Sequence, residues 1–210
     1  MKYIFVRHGE PDDFDENGQR LGNSASLLTK RGQDEARRAG DTIKSIYDPK
    51  FLVSSTSPRA YQTAELINER IGKAFIIQEI GIDEEMAVDT LPILPGMSQE
   101  TVNKVITTLP RAYAEAKRTI KELQSRKFNA DIIHVTHSHR MTMIHWTLLN
   151  DKEPTREEYL KFWKSYGSGL EMHQRQHADT RFCKMFAVDF SKEKGQQIEY
   201  PYLIESKLQG

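Results

Sequence analysis

The sequence predicts a three-layer α/β/α sandwich built on a mostly parallel sheet, and three observations predict it. Short apolar runs alternate with amphipathic helical segments, the helices carry start and stop residues, and three of the apolar runs open straight into polar segments. With 210 residues the chain can bury one sizeable core, so a single domain over residues 1–210 is expected.

The run from Met1 to Val6 reads as a buried first strand, after which the chain turns polar at Arg7-His8. Residues Gly9 to Ser26 are rich in Asp, Gly, Asn and Ser and form the strongest candidate loop. Thr29 is placed to cap a helix that sets Ala36, Ala39, Ile43 and Ile46 on one face. Asp48-Pro49 closes it, because the residue before a proline is pushed out of the α region. Phe51 to Val53 is a second strand. Ser57-Pro58 opens the next helix, with a capping residue before a proline at the first helical position. Ala60, Ala64, Ile67 and Ile71 give that helix a buried face, and Gly72 stops it.

Ala74 to Ile77 is a third strand, and Ala87 to Gly96, with two prolines, reads as irregular. Helical periodicity returns from Glu100 to Arg126, where Pro110 is expected to break or kink the helix. Asp131 to Val135 is a fourth strand and Arg140 to Leu149 a further helix. Thr155-Arg156-Glu157-Glu158 has the capping-box pattern and opens a helix that buries Tyr159, Phe162 and Trp163. Leu170 to His173 and Phe182 to Val188 suit a closing β-hairpin.

Thirty basic side chains balance thirty acidic ones, so no whole-molecule charge draws the chain to nucleic acid or to a membrane surface. Neither is expected as a partner. The lone Cys183 cannot form an internal disulfide, and the first apolar run is too short for a secretory leader. No run is long enough to span a bilayer. A cytoplasmic location follows as the expectation.

Ligands of open α/β sheets sit at the carboxyl ends of the strands. Three segments of this chain lie there: Arg7-His8-Gly9-Glu10, Ser54 to Arg59, and Thr136-His137-Ser138. Together they offer two arginines, two histidines, several hydroxyls and a helix start, which is the chemistry of a phosphate site. Hydrolysis of a phosphate ester would further need a nucleophile and an acid for the departing oxygen. Neutral histidine is a competent nucleophile, and Arg7 and Arg59 would oppose its protonation. Glu79 to Glu85, after the third strand, is the natural source of the acid. His134, His137, His139 and His145 crowd one region, but strand alternation points His134 away from His137, and no Cys or carboxylate stands nearby, against a metal cluster.

Arg7-His8-Gly9-Glu10 resembles the signature of the histidine phosphatase superfamily, in its phosphoglycerate mutase-like branch. The stretch Ser54 to Ala64 resembles the second motif of that family, with a Ser…Arg-Ala-x-x-Thr-Ala core, and Val135-Thr136-His137 resembles the third. The three stand in the family's order over roughly the first two-thirds of the chain. The resemblance implies a phosphoglycerate mutase-like sandwich and a phosphatase that works through a phosphohistidine, without metal or cofactor. His8 would be the nucleophile, and Arg7, Arg59 and His137 would hold the phosphoryl oxygens. The acid would be Glu84 in Ile82-Asp83-Glu84, with Glu85 as its rival. Pro11 follows Glu10, and Phe14 stands near the place of the family's phosphate-contacting Asn, which leaves Asn17 as the substitute.

The expected partner is a phosphorylated small molecule, or alternatively a phosphoprotein. Two other functions compete. A phosphoglycerate mutase-type phosphotransferase would carry a basic segment after the acid, yet Met86 to Thr101 contains no Lys or Arg. A catalytically silent phospholigand-binding module would be expected to lack the nucleophile or the acid.

Overall fold

The computed structural model describes residues 1–12, 26–72, 74–78, 99–126, 129–159, 161–162 and 183–201, with backbone alone at 75, 78 and 99–108. Its elements are β1 (Tyr3–Arg7), α1 (Lys30–Ile46), β2 (Pro49–Ser54), α2 (Pro58–Ile71), β3 (Phe75–Gln78), α3 (Gln99–Ser125), β4 (Asp131–Thr136), α4 (Ser138–Leu149), β5 (Met185–Val188) and β6 (Ile198–Glu199).

The six strands form one sheet in the order β3-β2-β4-β1-β5-β6. β1, β2, β3 and β4 run parallel, and β5 lies antiparallel between β1 and β6. Each strand of the centre is apolar on both faces because helices cover both. On one face Ile4, Val6, Leu52, Ile133 and Val135 meet Ala36, Ala39 and Ile43 of α1 and Ala60, Ala64 and Ile67 of α2. On the other, Tyr3, Phe5, Val53 and Ile132 meet Leu109, Tyr113 and Leu123 of α3 and Met141 and Ile144 of α4. Alternation along β4 sends His134 to the second face, where it lies between the rings of Tyr3 and Phe5.

The helix ends obey local chemistry. Thr29 caps α1 by accepting the Gly32 N–H at 3.0 Å, and Gly72 ends α2 in the left-handed region at φ 84°. The Thr155 box closes both ways: Thr155 N–H donates to Glu158 Oε2 at 2.9 Å, and Glu158 N–H to Thr155 Oγ1 at 3.2 Å. Helix follows at 156–159 and 161–162, burying Tyr159 and tucking Phe162 against the second core.

Three boundaries differ from the sequence expectation. α3 runs through Pro110 unbroken. Pro110 is exposed, on a side of the helix where a backbone bond it cannot make can be made up by solvent. α4 begins at Ser138 instead of Arg140, because His137 serves as its cap without a side-chain bond, a start that leaves no sequence signal. The hairpin partner of β5 is β6, and its other edge is taken by β1; Leu170 to His173, the expected partner, lies outside the described residues, as do Trp163 and Ala87 to Gly96. Among the described residues, no helix is long and apolar enough to cross a membrane.

Candidate active site

β4 organises the site. Arg7 pairs with Thr136 at the end of β1, and Ser54 with Val135 at the end of β2. The next residue of each strand stays tied to β4: His8 N–H donates to Thr136 O at 3.0 Å, and Ser55 N–H to Val135 O at 3.1 Å. His8, Ser55 and His137 therefore leave the sheet side by side at its carboxyl edge. α2 then starts at Pro58 and brings Arg59 over them.

Of the residues singled out from the sequence, His8, Arg59 and His137 converge and are buried, at 5%, 3% and 2% exposure. The imidazole rings of His8 and His137 are 5.1 Å apart, centre to centre. Arg59 bridges them, with Nε 3.4 Å from His8 Nε2 and Nη2 3.4 Å from His137 Nδ1. Arg7, at the end of β1, is near enough for its charge to act on both rings. Glu84, Glu85 and Asn17 lie outside the described residues.

Burial, first of all, keeps His8 well below the ordinary imidazole range; His137, Arg7 and Arg59 push the same way. The ring is neutral and carries one proton. Its Nδ1 lies 2.7 Å from the carbonyl oxygen of Gly9, which can only accept, so the proton is on Nδ1. Nε2 is left with its lone pair facing Arg59. His137 is likewise held neutral by burial, then by Arg59 and Arg7.

Supporting residues to which the sequence assigned no bond in the site surround this centre. Ser55 Oγ lies 2.9 Å from His137 Nε2. Thr63 Oγ1 accepts the Gly9 N–H at 3.0 Å and donates to Arg59 O at 2.7 Å. Glu35, buried in α1, accepts the Glu10 N–H at 3.1 Å, and Thr29 donates to Glu10 Oε2 at 2.8 Å. A side chain on Gly9 would collide with the Gly32 carbonyl, and one on Gly32 with the Glu10 backbone, so the loop after β1 lies flat on the first turn of α1. The Ser and Thr of the second motif were visible as letters; their bonds depend on strand register and were not.

The other histidines among the described residues go elsewhere. His139 Nδ1 meets Tyr159 OH at 2.7 Å, and His145 stacks on Phe186 with Nε2 3.1 Å from Tyr200 OH. Among the described residues no group of three or more His, Cys, Asp or Glu could hold a metal ion.

Residues 3–162 match the family model of the histidine phosphatase superfamily, branch 1. The chain belongs to that superfamily. No curated protein matches it at the level of whole sequence. Among solved structures it is similar to a mutant phosphoserine phosphatase from Entamoeba histolytica in complex with phosphoserine, at 17% identity and TM-score 0.62, covering 95% of this chain and 94% of that one. The same enzyme with 3-phosphoglyceric acid matches at 18% identity and TM-score 0.59, over 96% and 98% of the two chains. A mycobacterial glucosyl-3-phosphoglycerate phosphatase in complex with VO3 matches at 16% identity and TM-score 0.54, over 90% and 92%. These likenesses establish a shared phosphoglycerate mutase-like fold for this superfamily member.

Proposed function

We propose that this chain is a cytoplasmic phosphatase that hydrolyses a phosphate monoester through a phosphohistidine on Nε2 of His8, with no metal or cofactor. The single observation that carries this is the 2.7 Å contact of His8 Nδ1 with the carbonyl oxygen of Gly9. The bond from Nδ1 to Gly9 O leaves Nε2 unprotonated, and that nitrogen faces Arg59 and the ring of His137.

In the first step the Nε2 lone pair forms a bond to phosphorus as the ester P–O bond breaks. Arg7, Arg59 and His137 hold the three phosphoryl oxygens while charge spreads over them. The departing oxygen takes a proton from a carboxylic acid, for which Glu84 is the candidate and Glu85 the rival. In the second step that carboxylate takes a proton from water, the water oxygen bonds to phosphorus, and the N–P bond breaks. The products are an alcohol and inorganic phosphate, and His8 regains its lone pair.

The substrate is a phosphorylated small molecule. Phosphoserine and 3-phosphoglyceric acid, bound by the similar amoebic phosphatase, head the panel to be tried. The decisive experiment is phosphate release from p-nitrophenyl phosphate, with and without a chelator, for wild type and His8→Ala. Chelator-insensitive release that disappears in His8→Ala, together with an acid-labile, base-stable phosphoenzyme, is expected. Release unchanged in His8→Ala would overturn the mechanism. Glu84→Gln should slow alkyl esters far more than aryl esters, whose leaving groups need little protonation.

A further inference from the structure

We infer that Glu35 is a positioning residue for His8: by holding the N–H of the Gly9–Glu10 peptide, it keeps the carbonyl of that same peptide on Nδ1 of His8 and so leaves the lone pair on Nε2. This rests on His8 being the nucleophile, as proposed above, and adds what fixes its tautomer.

One peptide group joins the two side chains. Its N–H, from Glu10, donates to Glu35 Oε2 at 3.1 Å, and its carbonyl, from Gly9, lies 2.7 Å from His8 Nδ1. In a trans peptide the N–H and the C=O point in opposite directions, so a grip on one end aims the other. The carbonyl can only accept, which puts the ring proton on Nδ1. Arg59 Nε can only donate, and it lies 3.4 Å from His8 Nε2, in agreement with that assignment.

Gly9 makes such a hold necessary. Glycine has no side chain to confine its backbone, so the peptide plane that follows it turns over more readily than one that follows another residue. Turned over, this peptide would present the Glu10 N–H to Nδ1. The ring would then carry its proton on Nε2 and lose the lone pair that attacks phosphorus. Glu35 opposes the turn, because the turn breaks its bond to the amide. The peptide before Gly9 is held by other groups: its N–H donates to Thr63 Oγ1 at 3.0 Å, and the His8 carbonyl accepts the Cys183 N–H at 3.3 Å.

Helix α1 delivers the carboxyl. Gly32 lets the loop lie against the first turn, since a Cβ there would stand 2.3 Å from the Glu10 carbonyl oxygen and 2.7 Å from the Glu10 nitrogen. Glu35 follows three residues later on the same face of the helix, at 2% exposure, with Oε1 3.3 Å from Arg31 Nε. Packing does not call for a carboxyl there. Ala36 and Ala39 serve the core of the same helix, and an apolar side chain at 35 would avoid the cost of burying a charged one. The bond to Glu10 accounts for its presence.

The test is the 15N spectrum of ring-labelled histidine in the full chain, with His8→Ala used to assign the His8 signals. Wild type is expected to show His8 with a protonated Nδ1 and an unprotonated Nε2. Glu35→Met, which keeps the bulk and removes the acceptor, should lose that preference. Glu35→Gln, which keeps an oxygen for the amide, should retain it. In turnover of p-nitrophenyl phosphate, Glu35→Met should lose about 10- to 100-fold in kcat with little change in KM, the range seen when partners that orient the histidines of metal sites are removed. Glu35→Gln should recover that loss. A protonated Nε2 on His8 in wild type overturns the inference, as does an unchanged His8 tautomer in Glu35→Met, or a Glu35→Gln as defective as Glu35→Met. The spectrum is read without turnover, so a chain with the expected tautomers that hydrolyses nothing would refute the phosphatase mechanism and leave the role of Glu35 standing. A Glu35→Met that keeps both the wild-type tautomer and wild-type hydrolysis would do the reverse. If Glu35→Met fails to fold, the wild-type spectrum and Glu35→Gln decide the matter.

Discussion

The amide of Gly9 donates to Thr63 Oγ1 across 3.0 Å, and the same hydroxyl donates to the carbonyl of Arg59, 2.7 Å away. One buried threonine thus fastens the loop that carries His8 to the first turn of the helix that carries Arg59.

Thr63→Val keeps the shape of that side chain and leaves the Gly9 N–H buried without its acceptor. The expected cost is about 1–3 kcal/mol of stability, read from urea denaturation, with a fall in kcat/KM as His8 loses its alignment. Equal stability and equal turnover would show that the bond is idle.

Gly9→Ala meets the carbonyl of Gly32, a backbone atom that cannot swing aside. The added methyl should destabilise the fold by about 2–3 kcal/mol, as overpacking does. A denaturation midpoint equal to that of wild type would mean that the loop after β1 shifts at no cost.

Arg59 reaches His8 with Nε and His137 with Nη2 at once. An ammonium group has no such fork, so Arg59→Lys should behave almost like Arg59→Ala, each losing on the order of 10²-fold in kcat. Full activity in Arg59→Lys would show that charge alone suffices there.

Stability should fall as the solution is acidified. Burial pushes His134 down to about 3, helped by Arg126 and Arg140, and burial alone brings His145 down to about 4. The unfolded chain takes up these protons near the ordinary value of 6.5, while the folded chain does not. Stability is therefore complete above that value and is lost as pH falls toward about 4 for His145 and about 3 for His134. His8 and His137 act with the same sign. Glu35, raised mainly by burial, acts with the opposite one. Urea midpoints measured between about pH 7 and pH 5 should decline, and His145→Phe should flatten the slope by up to about 1.4 kcal/mol per pH unit, the equivalent of one proton. A pH-independent midpoint would contradict this.

Local chemistry explains what could be foreseen from the amino acids. Thr29, Ser57-Pro58 and Gly72 mark helix ends through bonds and backbone preferences that act within a few residues, and the helices begin and end there. His8, Arg59 and His137 were legible because each follows an apolar run or a helix start. Pro110 does not break α3, because the cost of a proline depends on which face of the helix it occupies, a tertiary fact. The partner of β5 could not be read because β5 joins β1 from the far end of the chain. Ser55 and Thr63 stood inside a motif, yet their bonds follow from the register of β2 against β4 and from the seat of α2 over β1.

β1 lies between β4 and β5, both of which come from much later in the chain, and Cys183 N–H closes on His8 O at 3.3 Å. During synthesis β1 must then wait for β5, made far later in the sequence, before it has both neighbours. Such distant pairing makes folding slow. It also means that the imidazole of His8 gains that of His137 as a neighbour only after β4 has been made and paired with β1, because His137 follows directly on that strand.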